Sequence, residues 1–134
     1  MSNDKMLEAA SQVRSQAHAP YSGFRVGAAI LTKSGRIFSG CNVENVSLGL
    51  TICAERAAVA AAVAAGEKEF VAIALITDSE VPATPCGACR QVLAEFSPSI
   101  EILTSTVRGK VQQFELSDLL PRPNQGFVDA FRNA

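Results

Sequence analysis

CAERAAVAAAVAAG, residues 53–66, then a continuous apolar run over residues 71–77, then PCGACRQVLAEF, residues 85–96, is the stretch that decides the fold. Alanine dominates residues 54–65, which predicts a helix able to pack closely on a sheet, with Gly66 as its stop. The run 71–77 has no polar alternation, as expected of a strand covered on both faces. After the Pro-Cys-Gly turn, residues 88–96 read as a second helix. Upstream, Met6, Ala9, Ala10, Val13 and Ala17 recur at helical spacing over residues 4–17, and Pro20 ends that run. Residues 24–32 and 36–41 are apolar and partly β-branched, separated by Lys33-Ser34-Gly35, the pattern of a hairpin. Downstream, residues 101–105 and 110–114 read as strands. This interleaving predicts helices packed over a mixed sheet. No repeat, low-complexity tract or linker interrupts the chain, so residues 1–134 are expected to form a single domain.

The same stretch carries the chemistry. Cys53, Cys86 and Cys89 offer three soft ligands for one metal, and Glu55 lies two residues past the first. A structural zinc site is closed by four protein ligands, whereas a catalytic one keeps three and leaves a fourth position open. A lone Cys-x-x-Cys is common, serving redox pairs and zinc ribbons alike. Cys-Ala-Glu upstream and Pro85 directly before Cys86 make the pattern specific, because they match the signature of zinc-dependent deaminases with cysteine as first ligand. The reading places all three thiols at helix starts, where unpaired N–H groups and the helix dipole favour negative charge. Three thiolates on one zinc leave a net negative centre, so Arg56 and Arg90 are candidates to hydrogen-bond a thiolate and draw charge away. The alternative for each arginine is a solvated surface residue. His18, the only histidine, stands far upstream and reads as a surface residue. Cys41 reads as a small buried hydrophobe at a strand end, the alternative being a fourth ligand that would close the site.

Composition points to an enzyme working inside the cell. The 134 residues, 48% of them hydrophobic, suffice for a core without disulfide staples. No charged segment followed by a long apolar one opens the sequence, and no apolar run approaches membrane-spanning length, so secretion and membrane insertion are disfavoured. The expected compartment is the cytoplasm, where thiols stay reduced and free for metal. A formal net charge of −1 gives no broad cationic surface for phosphate backbones, which disfavours polymeric nucleic acid as a partner.

From Pro20-Tyr21-Ser22-Gly23-Phe24-Arg25-Val26-Gly27-Ala28, through Asn42-Val43-Glu44-Asn45, to both cysteine segments, the chain resembles the small homotetrameric type of cytidine deaminase over nearly its whole length. The resemblance implies a three-layer α/β/α fold, a mixed five-stranded sheet with helices on both faces. It implies one zinc per chain on Cys53, Cys86 and Cys89, with Glu55 as proton shuttle. Asn42 and Glu44 would hold the ribose hydroxyls, Phe24 would pack against the pyrimidine, the Ala54 backbone N–H would meet the base carbonyl, and Arg56 would temper the thiolate charge. The implied reaction is hydrolytic deamination of cytidine and deoxycytidine to uridine and deoxyuridine with release of ammonia, in pyrimidine salvage, by a homotetramer.

Physical alternatives stand beside these roles. Asn42 and Glu44, two apart in an extended segment, face the same way and could address a diol, yet Asn42 and Asn45 are also common turn residues and Glu44 could simply be solvated. Phe24 could be a core aromatic rather than a stacking platform. Beyond Leu119-Leu120-Pro121 the chain departs from the family, with Asn124 where a phenylalanine is usual. Phe127, just after Gly126, is the candidate to deliver an aromatic ring to a neighbouring site, while Phe131 reads as an anchor of a terminal helix. Two further readings remain: deamination of a modified cytosine nucleoside, or a zinc-stabilised binding protein of the same fold without turnover.

Overall fold

In the computed structural model, which describes residues 2–123, five strands form one sheet in the order β2-β1-β3-β4-β5. Helix α1 (Ser2–Arg14) precedes the hairpin β1 (Val26–Thr32) and β2 (Ile37–Cys41). Then come a 3-10 turn at Leu48–Leu50, helix α2 (Ala54–Ala64), β3 (Phe70–Thr77), α3 (Gly87–Phe96), β4 (Glu101–Thr106), β5 (Val111–Glu115) and the single turn α4 (Leu116–Leu119). β3 and β4 run parallel, joined across α3, while β1 pairs antiparallel with both β2 and β3, and β5 antiparallel with β4.

Alternation along the central strands sorts the side chains into two layers. Ala28, Ile30, Ile73, Leu75 and Ile102 face α2 and α3, where they meet Ala58, Ala62 and Leu93. Ala29, Ala74, Ile76 and Leu103 face the opposite way, onto Met6 and Ala10 of α1. The sheet is therefore sandwiched between helices, the three-layer arrangement expected from the sequence. Each fully buried Ile or Leu in these layers contributes roughly 1.5–3 kcal/mol through loss of water contact.

Small residues set how near the helices come. A Cβ on Gly40 of β2 would lie 2.4 Å from the Ala58 nitrogen and 2.7 Å from the Ala54 carbonyl oxygen, so α2 rests directly on the strand backbone. Helix α2 then stops where predicted: Gly66 takes φ 90°, its N–H bonds the Val63 carbonyl, and the Glu67 N–H reaches back to Ala62, the paired closure of a Schellman motif.

The segment between α1 and β1 is longer than expected, and both of its boundaries have the same cause. α1 ends at Arg14 rather than at residue 17, and β1 begins at Val26 rather than at residue 24. The intervening backbone is drawn onto the segment after β2: the His18 N–H bonds the Asn42 carbonyl at 3.0 Å, the Glu44 N–H bonds the His18 carbonyl at 2.8 Å, and the Asn42 side chain holds both Phe24 and Val26. The expected aromatic roles of Phe127 and Phe131 lie outside the described residues.

Candidate active site

Two helix N-termini converge where β3 ends. Cys53 caps α2 and Cys86 caps α3, each in an extended conformation with no capping hydrogen bond from its side chain. The sulfurs are thus left free to face outward from the helix starts, among backbone N–H groups that have no partner within the first turn. The third residue of a helix lies one turn above the cap and returns over it, the geometry that capping boxes use. Cys89 occupies that position in α3, which brings its sulfur to 3.4 Å from that of Cys86. Arg56 occupies it in α2, where its Nη2 donates to Cys53 Sγ at 3.5 Å and to the Thr51 carbonyl at 3.2 Å.

The sulfurs of Cys53, Cys86 and Cys89 all lie within 4.8 Å of one another. Tetrahedral zinc with Zn–S bonds of about 2.3 Å needs its sulfurs about 3.8 Å apart, so the donor type and spacing fit this metal. Cys41 stands outside the cluster, paired with Gly27 at the end of β2, and three sulfurs leave a fourth position for something other than protein. Cys89 is fully buried, Cys53 half-buried and Cys86 exposed.

Charge is unevenly held among these groups. The hydrogen bond from Cys89, followed by that from Arg56, pulls the Cys53 thiol down to about 5, while sharing that proton, together with burial, pushes Cys89 up. Glu55 is 6% exposed, and burial raises its carboxyl above the usual range. The Arg56 Nε is buried with no hydrogen-bond partner among the described residues.

A cavity of about 210 Å³ opens beside the sulfurs. Cys53, Ala54, Glu55, Phe24, Asn42 and Thr84 are among the residues that line it. Asn42 is nearly buried; its Oδ1 accepts from the Val26 N–H at 2.9 Å and its Nδ2 donates to the Phe24 carbonyl at 2.8 Å, leaving one N–H and one lone pair unassigned. Glu44 lies away from the cavity wall and accepts from the N–H groups of Tyr21 and Ser22, at 2.9 and 3.1 Å, and from the Ser22 hydroxyl. Those bonds, led by that of the hydroxyl, lower its pKa.

Arg90 departs from one of its two expected roles. Its donors go to the Pro85 carbonyl, the Leu119 carbonyl and the Thr84 hydroxyl rather than to a thiolate. Sequence reasoning also passed over Thr77 and Thr84 as wall residues. Thr84 had a usable signal, since it stands two residues before a ligand in a Pro-Ala-Thr-Pro run; Thr77 had none beyond ending a strand.

A model of the cytidine and deoxycytidylate deaminase zinc-binding region matches residues 1–104. The chain belongs to this family. It is 44% identical over 122 residues to a cytidine deaminase of Halalkalibacterium halodurans, covering 90% of this chain and 92% of that protein. It is 46% identical over 112 residues to a cytidine deaminase of Mycobacterium tuberculosis, covering 84% of this chain and 81% of its relative. The crystal structure of a cytidine deaminase from Burkholderia pseudomallei superposes with a TM-score of 0.88 at 47% identity, covering 92% and 99% of the two chains. The deaminase is an enzyme whose cofactor is zinc, and Cys53, Cys86 and Cys89 are the group of side chains that could hold it.

Proposed function

We propose that this deaminase converts cytidine and deoxycytidine to uridine and deoxyuridine, releasing ammonia. The observation that carries the reading is the buried carboxyl of Glu55 lining a cavity that Cys53 of the three-sulfur cluster also lines. When bound, zinc supplies a Lewis acid that brings the pKa of water from ~15.7 towards ~7, so that hydrolysis proceeds at neutral pH. Glu55, not a ligand, accepts a proton from the attacking water and returns it to a ring nitrogen of the cytosine as water's oxygen adds at the amine-bearing carbon; it then moves the proton of the added hydroxyl to the amine, so that the carbonyl forms, the C–N bond breaks and ammonia leaves. Burial suits Glu55 to this work, because a carboxyl of raised pKa both takes and releases a proton near neutrality.

The remaining roles follow the walls of the cavity. The Ala54 N–H, at the first position of α2 and so without an intrahelical partner, is placed to donate to the base carbonyl. Phe24 packs on the pyrimidine. Asn42 offers its spare N–H and lone pair to the ribose, and Glu44 joins it by exchanging the Ser22 contacts for sugar hydroxyls. Arg56 draws charge from Cys53. A single domain carries all of these groups, and Phe127 remains the candidate to close a neighbouring subunit's site.

Self-association to a homotetramer is supported by an apolar rim: Val46, Leu48 and Leu50 are 75%, 68% and 67% exposed on one short segment beside the cavity. Among the described residues no helix is long and apolar enough to cross a membrane. Together with four free thiols this suits cytoplasmic pyrimidine salvage acting on free nucleosides. The test is loss of ultraviolet absorbance by cytidine and deoxycytidine with metal-analysed protein. Turnover with about one zinc per chain is expected; zinc without turnover on either nucleoside would overturn the substrate assignment.

A further inference from the structure

Arg90 lies one residue past a metal-ligand position yet touches no sulfur. Its guanidinium is spread over three acceptors from two separate parts of the chain: Nε donates to the Pro85 carbonyl at 2.8 Å, Nη2 to the Thr84 hydroxyl at 3.1 Å, and Nη1 to the Leu119 carbonyl at 3.0 Å. Helical geometry explains the direction. Arg90 is the fourth residue of α3, one position past the site that returns over the cap, and its side chain meets the loop that delivers Cys86.

That loop needs holding. The crossover from β3 to α3 spans residues 78–86, with Ala83 and Thr84 on the cavity wall and Cys86 at its end. Beyond the Thr77–Ser79 hydroxyl bond at its start, it is anchored to the sheet by the hydroxyl of fully buried Thr104, which donates to the Ala83 carbonyl at 2.5 Å. Past Ala83, Arg90 spans the next two residues at once and ties them to the last turn of α4, whose Leu119 carbonyl has no following turn to bond. A planar fork with fixed donor directions can satisfy three acceptors in this way, and a lysine cannot.

We infer that Arg90 is a positioning residue for both the metal and the substrate: it fixes the Thr84 wall and the approach of Cys86 by clamping their loop to α4. The inference rests on the functional reading above, in which Cys86 is a ligand and Thr84 faces the nucleoside. Groups that orient ligands in this way typically carry 10–100-fold in metal affinity or activity.

The experiment compares wild type, Arg90→Lys, Arg90→Ala and Met6→Ala. The last leaves a core cavity on the opposite face of the sheet and so reports the effect of lost stability alone. Zinc affinity is measured by competition with a chelator, and KM and kcat with cytidine. Both Arg90 variants should bind zinc at least about tenfold more weakly and show a raised KM, with Met6→Ala close to wild type in both. Arg90→Lys keeps the charge and carries the test if Arg90→Ala fails to fold. Zinc affinity and KM at wild-type values in Arg90→Lys, or shifts no larger than those of Met6→Ala, would overturn the inference. A wild type that binds zinc without turning over cytidine overturns the functional reading only, and the chelator arm then decides Arg90; a wild type that takes up no zinc overturns both.

Discussion

The N-termini of α2 and α3 begin alike, with a cysteine cap in extended conformation, and differ in what sits three residues on. In α2 that residue is Arg56, which sends a cation back to the cap sulfur; in α3 it is Cys89, which sends a second sulfur. One helical geometry thus returns a sulfur to the cap in one place and a cation in the other. A metal held by three thiolates needs both, and neither helix could supply both from the same position. The comparison also explains why two arginines adjacent to site residues behave differently. Arg56 stands where the helix folds back on its cap, Arg90 one residue further along, and that single step sends its guanidinium to the loop and to α4.

The sharpest way to break the comparison is to remove the returning sulfur. Cys89→Ala leaves only two thiols, and bound zinc should fall from about one per chain towards none, with all turnover lost, by metal analysis of folded protein. Full zinc occupancy in that variant would mean the cluster is not the metal site. Next in size is Glu55→Gln, which should keep zinc yet lose roughly 10²–10⁴ in kcat, since the carboxyl moves protons and holds no metal. Loss of zinc in that variant would contradict the division of roles. Arg56→Ala should weaken zinc affinity or activity by about 10–100-fold, without restoration by Arg56→Lys, whose single ammonium cannot serve both Thr51 and Cys53 with a fixed fork.

A smaller effect, on stability, is expected where α2 rests on the sheet. Gly40→Ala would drive a methyl into the backbone of Ala58, and a loss of about 1–3 kcal/mol in denaturant unfolding is expected from the overpacking. An unchanged midpoint would mean that α2 is free to lift away from β2. The smallest concerns Glu44. Its carboxyl has a folded-state pKa below its unfolded value, so its bonds to the turn at Tyr21 and Ser22 are fully present above the unfolded pKa and are lost as pH falls through the lowered one. Hydrogen exchange corrected for its intrinsic pH dependence should show protection of the Tyr21 and Ser22 amides fading only below the ordinary carboxylate range. Protection lost already at higher pH would contradict the assignment.

Much of this molecule is written locally. Ligand identity, the Cys-x-x-Cys interval and the alanine run fix the metal cradle and α2 because each depends on neighbours within one or two helical turns. Strands β1, β2 and β3 could be read from apolar runs, and Ile73, Leu75 and Ile76 do lie in a strand buried on both faces. What could not be read depends on contacts between distant segments. The early end of α1 and late start of β1 arise from Asn42 bonding Phe24 and Val26, sixteen to eighteen residues away. Arg90 reaches Leu119 across twenty-nine residues, a pairing no local pattern announces. Glu44 bonds the turn at Tyr21 and Ser22, twenty-two to twenty-three residues upstream, a contact that no local pattern announces. The single turn of α4 at residues 116–119 was likewise missed, its Leu116 being held by the fully buried core rather than by helix propensity.

The central claim is a hydrolytic zinc site of three thiolates with one position left open. Zinc K-edge X-ray absorption on the purified protein tests it most directly. Three sulfur neighbours at about 2.3 Å with one lighter atom at about 2.0 Å are predicted. Four sulfur neighbours, which would require Cys41 or a second chain to close the site, would contradict it.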